Sequence, residues 1–151
     1  MRQIKRIIIH AAATRPSMDI GVKEIRRWHM ERGWRDVGYH YVIRRDGTVE
    51  PGRSLEQTGA HAYGHNRDTI GICLVGGVDA RGKAANNFTR RQWRALTFLV
   101  RGLQSVLHIN SADILGHRDL PGVAKACPCF DVASFDVGEA SGLGRSFSVR
   151  R

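Results

Sequence analysis

Three residues far apart in the chain share one chemistry. His10 ends the apolar run Ile7-Ile8-Ile9, His117 follows Ile114-Leu115-Gly116, and Cys127 stands in Lys125-Ala126-Cys127-Pro128. Two imidazoles and a thiolate are donors of borderline softness that suit tetrahedral zinc, and three protein ligands leave the fourth position open, as catalytic sites do. Zinc held by such a set lowers the pKa of a coordinated water to about 7 and polarises a substrate carbonyl. The reaction class implied is metal-assisted hydrolysis. Two further residues would complete it. Lys125, two positions before Cys127, offers a fixed positive charge to a tetrahedral oxyanion, and Tyr39 can hydrogen-bond to the attacking water or to that oxyanion. Cys127 and Cys129 do not begin a Cys-rich structural zinc site, because no second cysteine pair exists to complete one, and the His-Glu-x-x-His helix of a metalloprotease is absent.

Ligands so distant in sequence need a rigid frame. The β-branched run at 5–10 reads as a buried strand with His10 at its C-terminal end. Residues 21–32 read as a helix with Val22, Ile25 and His29 on one face, Asp19 near its N-terminus and Gly33 closing it; His29 is a packing residue on that face. Segments 41–45 and 48–51 flank Asp46-Gly47, a two-residue hairpin signal with both turn positions at positive φ, so Tyr39 and His40 lead into its first strand. Residues 69–76 form another apolar strand, with Cys73 as a core thiol. Thr89 with Gln92 makes a capping box, Phe88 with Trp93 a hydrophobic staple, and a helix follows over 90–107 with Trp93, Leu96, Val100, Leu103 and Leu107 on one face. A short strand at 112–115 leads to His117. Strands interleaved with helices predict an α/β fold, one domain over 1–137 with a central mixed β-sheet flanked by helices. The Gly- and Ser-rich residues 138–151 read as a flexible C-terminal tail.

At 151 residues and 42% hydrophobic the chain suffices for one packed domain. Its 24 Lys and Arg against 14 Asp and Glu give a net charge of +10, which favours encounter with an anionic polymer. The basic residues are scattered in short pairs such as Arg26-Arg27 and Arg90-Arg91, and neither a zinc finger nor an aromatic-rich RNA motif accompanies them, so no dedicated nucleic-acid binding is expected. An odd set of three cysteines fits synthesis in a reducing compartment. His10 and Arg15 interrupt the first apolar stretch too early for a signal peptide or a membrane span. His117-Arg118-Asp119-Leu120 echoes a kinase catalytic loop, but Ala124 stands where that loop needs Asn and no Asp-Phe-Gly follows.

Four phrases in order carry a family resemblance: 9–16 (Ile-His-Ala-Ala-Ala-Thr-Arg-Pro), 33–41 (Gly-Trp-Arg-Asp-Val-Gly-Tyr-His-Tyr), 66–72 (Asn-Arg-Asp-Thr-Ile-Gly-Ile), and 116–119 (Gly-His-Arg-Asp) with 125–128 (Lys-Ala-Cys-Pro). Over roughly residues 7–131 the chain resembles phage lysozymes of the zinc-dependent N-acetylmuramoyl-L-alanine amidase family, related to peptidoglycan recognition proteins. The resemblance implies the peptidoglycan-recognition-protein-like fold, Zn²⁺ on His10, His117 and Cys127, catalytic support from Tyr39 and Lys125, and a substrate cleft bordered by His40, His61 and Asn66. It further implies hydrolysis of the amide between N-acetylmuramic acid and L-alanine of the stem peptide. The protein would then be a monomer made in the host cytoplasm and acting on bacterial peptidoglycan, for phage-induced lysis, after release through the inner membrane. Phage RNA polymerase is a second partner that the resemblance implies. The rival within the same fold is a non-catalytic peptidoglycan-binding module; loss of the zinc cysteine is its usual mark, and Cys127 is present.

Overall fold

Consecutive apolar residues in β1 (Arg6–Ala11) are explained by cover on both faces of its sheet. The computed structural model describes residues 1–135, and the expected tail lies outside them. Five strands run in the order β3-β2-β4-β1-β5, with β2 (Tyr41–Ile43), β3 (Val49–Pro51), β4 (Thr69–Leu74) and β5 (Ile114–Gly116). The pairs β2·β4, β4·β1 and β1·β5 are parallel, while β3 returns antiparallel to β2, so the sheet is mixed as expected.

Side-chain alternation then divides the core. Ile7, Ile9 and Ala11 of β1 and Ile70, Ile72 and Leu74 of β4 meet α2 (Arg90–Leu107) through Trp93, Leu96, Val100 and Leu103. Val42 and Cys73 belong to a second cluster with Val22 and Ile25 of α1 (Val22–Glu31), and Cys73 is fully buried. His10 alternates with Ile7, Ile9 and Ala11 of the α2 cluster. The expected helix-start chemistry of α2 is present: Thr89 Oγ1 accepts from Gln92 N–H at 3.1 Å, Gln92 Oε1 accepts from Thr89 N–H at 3.0 Å, and the Phe88 and Trp93 rings meet edge to face at 5.7 Å. Gln92, fully buried, also donates to the carbonyls of Ile43 and Val75 and so ties the helix to the sheet.

The structure departs from the sequence expectation at three places. The β2–β3 turn is a three-residue loop in which Gly47 alone takes a positive φ of 88°. Arg44 and Thr48 close the pair, Gly47 N–H donates to the Arg44 carbonyl, and Asp46 Oδ1 accepts from Thr48 N–H, which holds Asp46 outside the left-handed region. Asp19 does not cap α1: it pairs with Arg44 at 3.2 Å, while the carboxylates of Glu24 and Glu50 accept the Gly21 and Val22 N–H groups. Finally, Ser111–Asp113 forms a 3-10 turn, so β5 begins only at Ile114.

His29 packs inside α1, as its face predicts. Its Nδ1 accepts Gly38 N–H at 2.8 Å and its ring lies 4.5 Å from Trp34 and 5.5 Å from Tyr39. Burial, helped by the charges of Arg32 and Arg53, lowers its pKa from 6.5 to about 4. As pH falls from 6.5 towards 4 the unfolded imidazole takes up a proton that the folded one refuses, so this contribution to stability is complete above pH 6.5 and is lost on acidification. His29→Asn keeps an acceptor at the Nδ1 position without a titrating group. Its urea midpoint should therefore decline less steeply between pH 7 and pH 4 than that of the wild type; equal slopes would refute the assignment.

Candidate metal centre

Parallel β1, β4 and β5 end at one edge of the sheet, and the crevice outside the C-terminal ends of such strands is where α/β folds place ligands. His10 arrives there as the penultimate residue of β1, and His117 opens the 3-10 turn His117–Asp119 directly after β5. Two contacts shape that turn: Asp119 Oδ2 accepts Gly116 N–H at 2.8 Å, and Arg118 N–H donates to the Cys127 carbonyl at 2.8 Å. The second carries Cys127 to the strand ends, where Ala11 N–H donates to its sulfur at 3.2 Å.

The result is a cluster. One ligand atom from each of His10, His117 and Cys127 lies within 4.8 Å of the others; His10 Nδ1 and Cys127 Sγ are 3.9 Å apart and the two imidazole centroids 4.6 Å. Tetrahedral zinc, with bonds of about 2.0–2.1 Å to nitrogen and 2.3 Å to sulfur, requires separations only slightly smaller than these. The two-nitrogen, one-sulfur donor set and its spacing fit zinc. Electrostatics agrees, since burial keeps both imidazoles neutral: the pKa of His10 is lowered well below 6.5 by desolvation and then by His61, His117 and Lys125, and that of His117 is lowered by desolvation and by Lys125. Desolvation pushes the Cys127 thiol up to about 11, against the opposing pull of the Ala11 N–H, so a bound cation would have to displace its proton.

Tyr39 stands beside the cluster with its ring 5.1 Å from that of His10. Burial raises its pKa well above 10, reinforced by the neighbouring Cys73 and Cys127. It is therefore a neutral donor at physiological pH. Lys125 is exposed, yet its charge acts on His10, His117 and Cys127 alike, so its ammonium lies within electrostatic reach of the cluster.

Of the three residues expected at the cleft border, His40 and His61 are buried and Asn66 is half-buried. His40 is buried, accepts Gly71 N–H on Nδ1 at 3.0 Å and donates from Nε2 to the Gln57 carbonyl at 2.8 Å; burial lowers its pKa to about 4. His61 touches His10 on one nitrogen and Thr69 on the other. Asn66 Oδ1 accepts the N–H groups of both His61 and Ala62 and so fixes the loop that carries His61. Sequence reasoning missed Thr69 and Gly71, which share with Cys73 the site face of β4. A Cβ on Gly71 or Gly59 would collide with the His61 ring, so both glycines form its seat. Period-2 reading of β4 would have grouped Thr69, Gly71 and Cys73, though not their register against His10.

This geometry has counterparts. The family pattern of N-acetylmuramoyl-L-alanine amidases matches residues 1–130. The endolysin of Klebsiella phage KP32 is 47% identical over 131 residues, covering 87% of this chain and 84% of that protein, and the endolysin of Escherichia phage T7 is 48% identical over 126 residues, covering 83% and 81%. Among solved structures, the N-acetylmuramoyl-L-alanine amidase LysC of Clostridium intestinale superposes with a TM-score of 0.71 at 29% identity, covering 84% of this chain and 77% of that one. No helix among the described residues is long and apolar enough to cross a membrane. With the match running from the first strand through the loop that bears Cys127, the chain belongs to the N-acetylmuramoyl-L-alanine amidase family.

Proposed function

We propose that this chain is a zinc-dependent endolysin that hydrolyses the amide between the lactyl group of N-acetylmuramic acid and L-alanine of the stem peptide. His10, His117 and Cys127 are its zinc ligands, and Tyr39 and Lys125 serve the reacting carbonyl. The observation that carries the reading is the convergence of two neutral imidazoles and a thiol on one point at the C-terminal ends of parallel strands. Zinc bound there supplies Lewis acidity for the scissile carbonyl and for the attacking water.

The chain's own groups do the rest. Charge develops on the carbonyl oxygen as water adds, and a donor aimed at that oxygen stabilises the transition state more than the ground state. The neutral Tyr39 hydroxyl belongs to a half-buried side chain beside His10, and the Lys125 ammonium to an exposed one whose charge reaches the cluster. Water's oxygen ends in the lactyl carboxylate, the C–N bond breaks, and the alanine nitrogen leaves with a proton. The net charge of +10 draws the protein to the acidic stem peptides of the wall.

Mass analysis of purified sacculi after treatment tests the bond assignment. Released stem peptides with free L-alanine amino termini are expected, together with glycan strands that stay intact. New reducing sugar ends without new amines would overturn it, and retention on sacculi with neither product would identify a binding module.

A further inference from the structure

Below His10 runs a chain of hydrogen bonds that terminates on a backbone carbonyl. His10 Nε2 and His61 Nδ1 are 2.8 Å apart, His61 Nε2 and Thr69 Oγ1 are 3.2 Å apart, and the Thr69 hydroxyl donates to the His65 carbonyl at 2.7 Å. All three side chains are buried, Thr69 completely. A carbonyl can only accept. The single Thr69 hydroxyl proton is thus committed to His65, and the Thr69 oxygen must accept from His61 Nε2–H. Neutral His61 then presents a lone pair at Nδ1, which can only receive the proton of His10 Nε2–H. Neutral His10 is left with its lone pair on Nδ1, the nitrogen that faces Cys127 Sγ.

We propose that the His65 carbonyl, Thr69 and His61 act as a tautomer lock that fixes His10 as its Nε2–H form and turns the Nδ1 lone pair into the metal centre. His61 and Thr69 are its positioning residues. The inference rests on the reading of His10 as a zinc ligand. In the opposite tautomer the Nδ1 proton would point at the cluster, and zinc would have to displace it or rotate the ring. Rotation meets the His61 ring, which lies edge to face with His10 at 4.9 Å and is itself seated on Gly71 and Gly59. The Asn66 clamp on the His61 and Ala62 N–H groups keeps that seat in register. Partners of this kind, which orient a ligating imidazole through its remote nitrogen, commonly change metal affinity by about 10–100-fold when removed.

Thr69 touches no candidate ligand, which makes it the sharpest place to test the lock. In the full zinc-loaded chain, Thr69→Val preserves the shape of the side chain but removes the acceptor; zinc affinity by chelator competition is expected to fall about tenfold. Thr69→Ser should restore it, and His61→Asn, whose Oδ1 can replace Nδ1 as acceptor, should retain more affinity than His61→Leu. Nitrogen-15 imidazole shifts provide a readout that needs no variant, and so decides the matter even if Thr69→Val does not fold. Wild-type His10 and His61 should both carry their proton on Nε2. A proton on His61 Nδ1, or a folded Thr69→Val that binds zinc as tightly as the wild type, overturns the lock while leaving the zinc reading intact. Wild-type protein that binds no zinc overturns the zinc reading and the lock with it.

Discussion

Cys127→Ala is expected to lose zinc and, with it, amide hydrolysis. Three protein donors are the minimum of an open catalytic zinc site, so removing one leaves two imidazoles and water to hold the ion. Loss of a remote orienting partner weakens metal binding by about 10–100-fold, and loss of a direct donor should exceed the upper end of that range. Cys127 is the cleanest of the three to remove, being only half-buried and held by one N–H from Ala11 that water can satisfy. His10→Ala carries an added structural penalty, since it empties a buried position against His61 and Tyr39. His117→Ala should resemble Cys127→Ala. Cys127→Ser should fall between, because a hydroxyl is a poorer ligand for a borderline ion than a thiolate. Metal content measured on the same samples used for muropeptide release decides the issue. Chelation should abolish turnover in the wild type and added zinc restore it; fully active protein with metal near zero would sink the assignment.

Why these three residues could be read without a structure follows from where they stand. His10 and His117 each close or follow an apolar strand, and buried parallel strands end where an α/β sheet opens its binding crevice, whereas Cys127 was legible from its residue type and its Lys-Ala-Cys-Pro surroundings alone. Helix α2 was equally legible, down to its limits at Arg90 and Leu107, because Thr89, Gln92, Phe88 and Trp93 are local signals acting within a few residues of one another. What escaped depends on which partner each side chain takes, near or far along the chain. Asp19 reads as a cap until Arg44, 25 residues away, claims its carboxylate, and Glu50 then reaches the vacant N–H of Val22. Asp46-Gly47 reads as a two-residue turn until the Asp46 carboxylate bonds to Thr48 N–H and shifts the closure by one residue. His61 illustrates the same limit in the site itself. Its type and segment suggest a cleft residue, whereas its position under His10 is set by the pairing of β1 with β4 and by two glycines that leave room for its ring. Register of that kind is invisible to periodicity.

Tyr39→Phe and Lys125→Ala should separate turnover from metal binding. The donor set read for zinc is His10, His117 and Cys127, which both variants retain, so both should keep zinc at the wild-type level. A missing donor to a developing oxyanion costs about 10²–10³ in rate, and because that interaction belongs to the transition state, kcat and kcat/KM should fall together with KM little changed. Tyr39→Phe leaves the ring between His10 and His29 and removes only the hydroxyl. That hydroxyl stays protonated far above neutral pH, so loss of activity in this variant cannot come from a lost anion. Lys125 differs, since its ammonium is exposed and solvent weakens its field. Raised salt should therefore blunt the contribution of Lys125 more than that of Tyr39, and the penalty of Lys125→Ala should shrink as ionic strength increases while that of Tyr39→Phe holds steady. Near-wild-type turnover in zinc-replete Lys125→Ala at low salt would remove Lys125 from the reaction; the same result for Tyr39→Phe would confine Tyr39 to packing His10 in place.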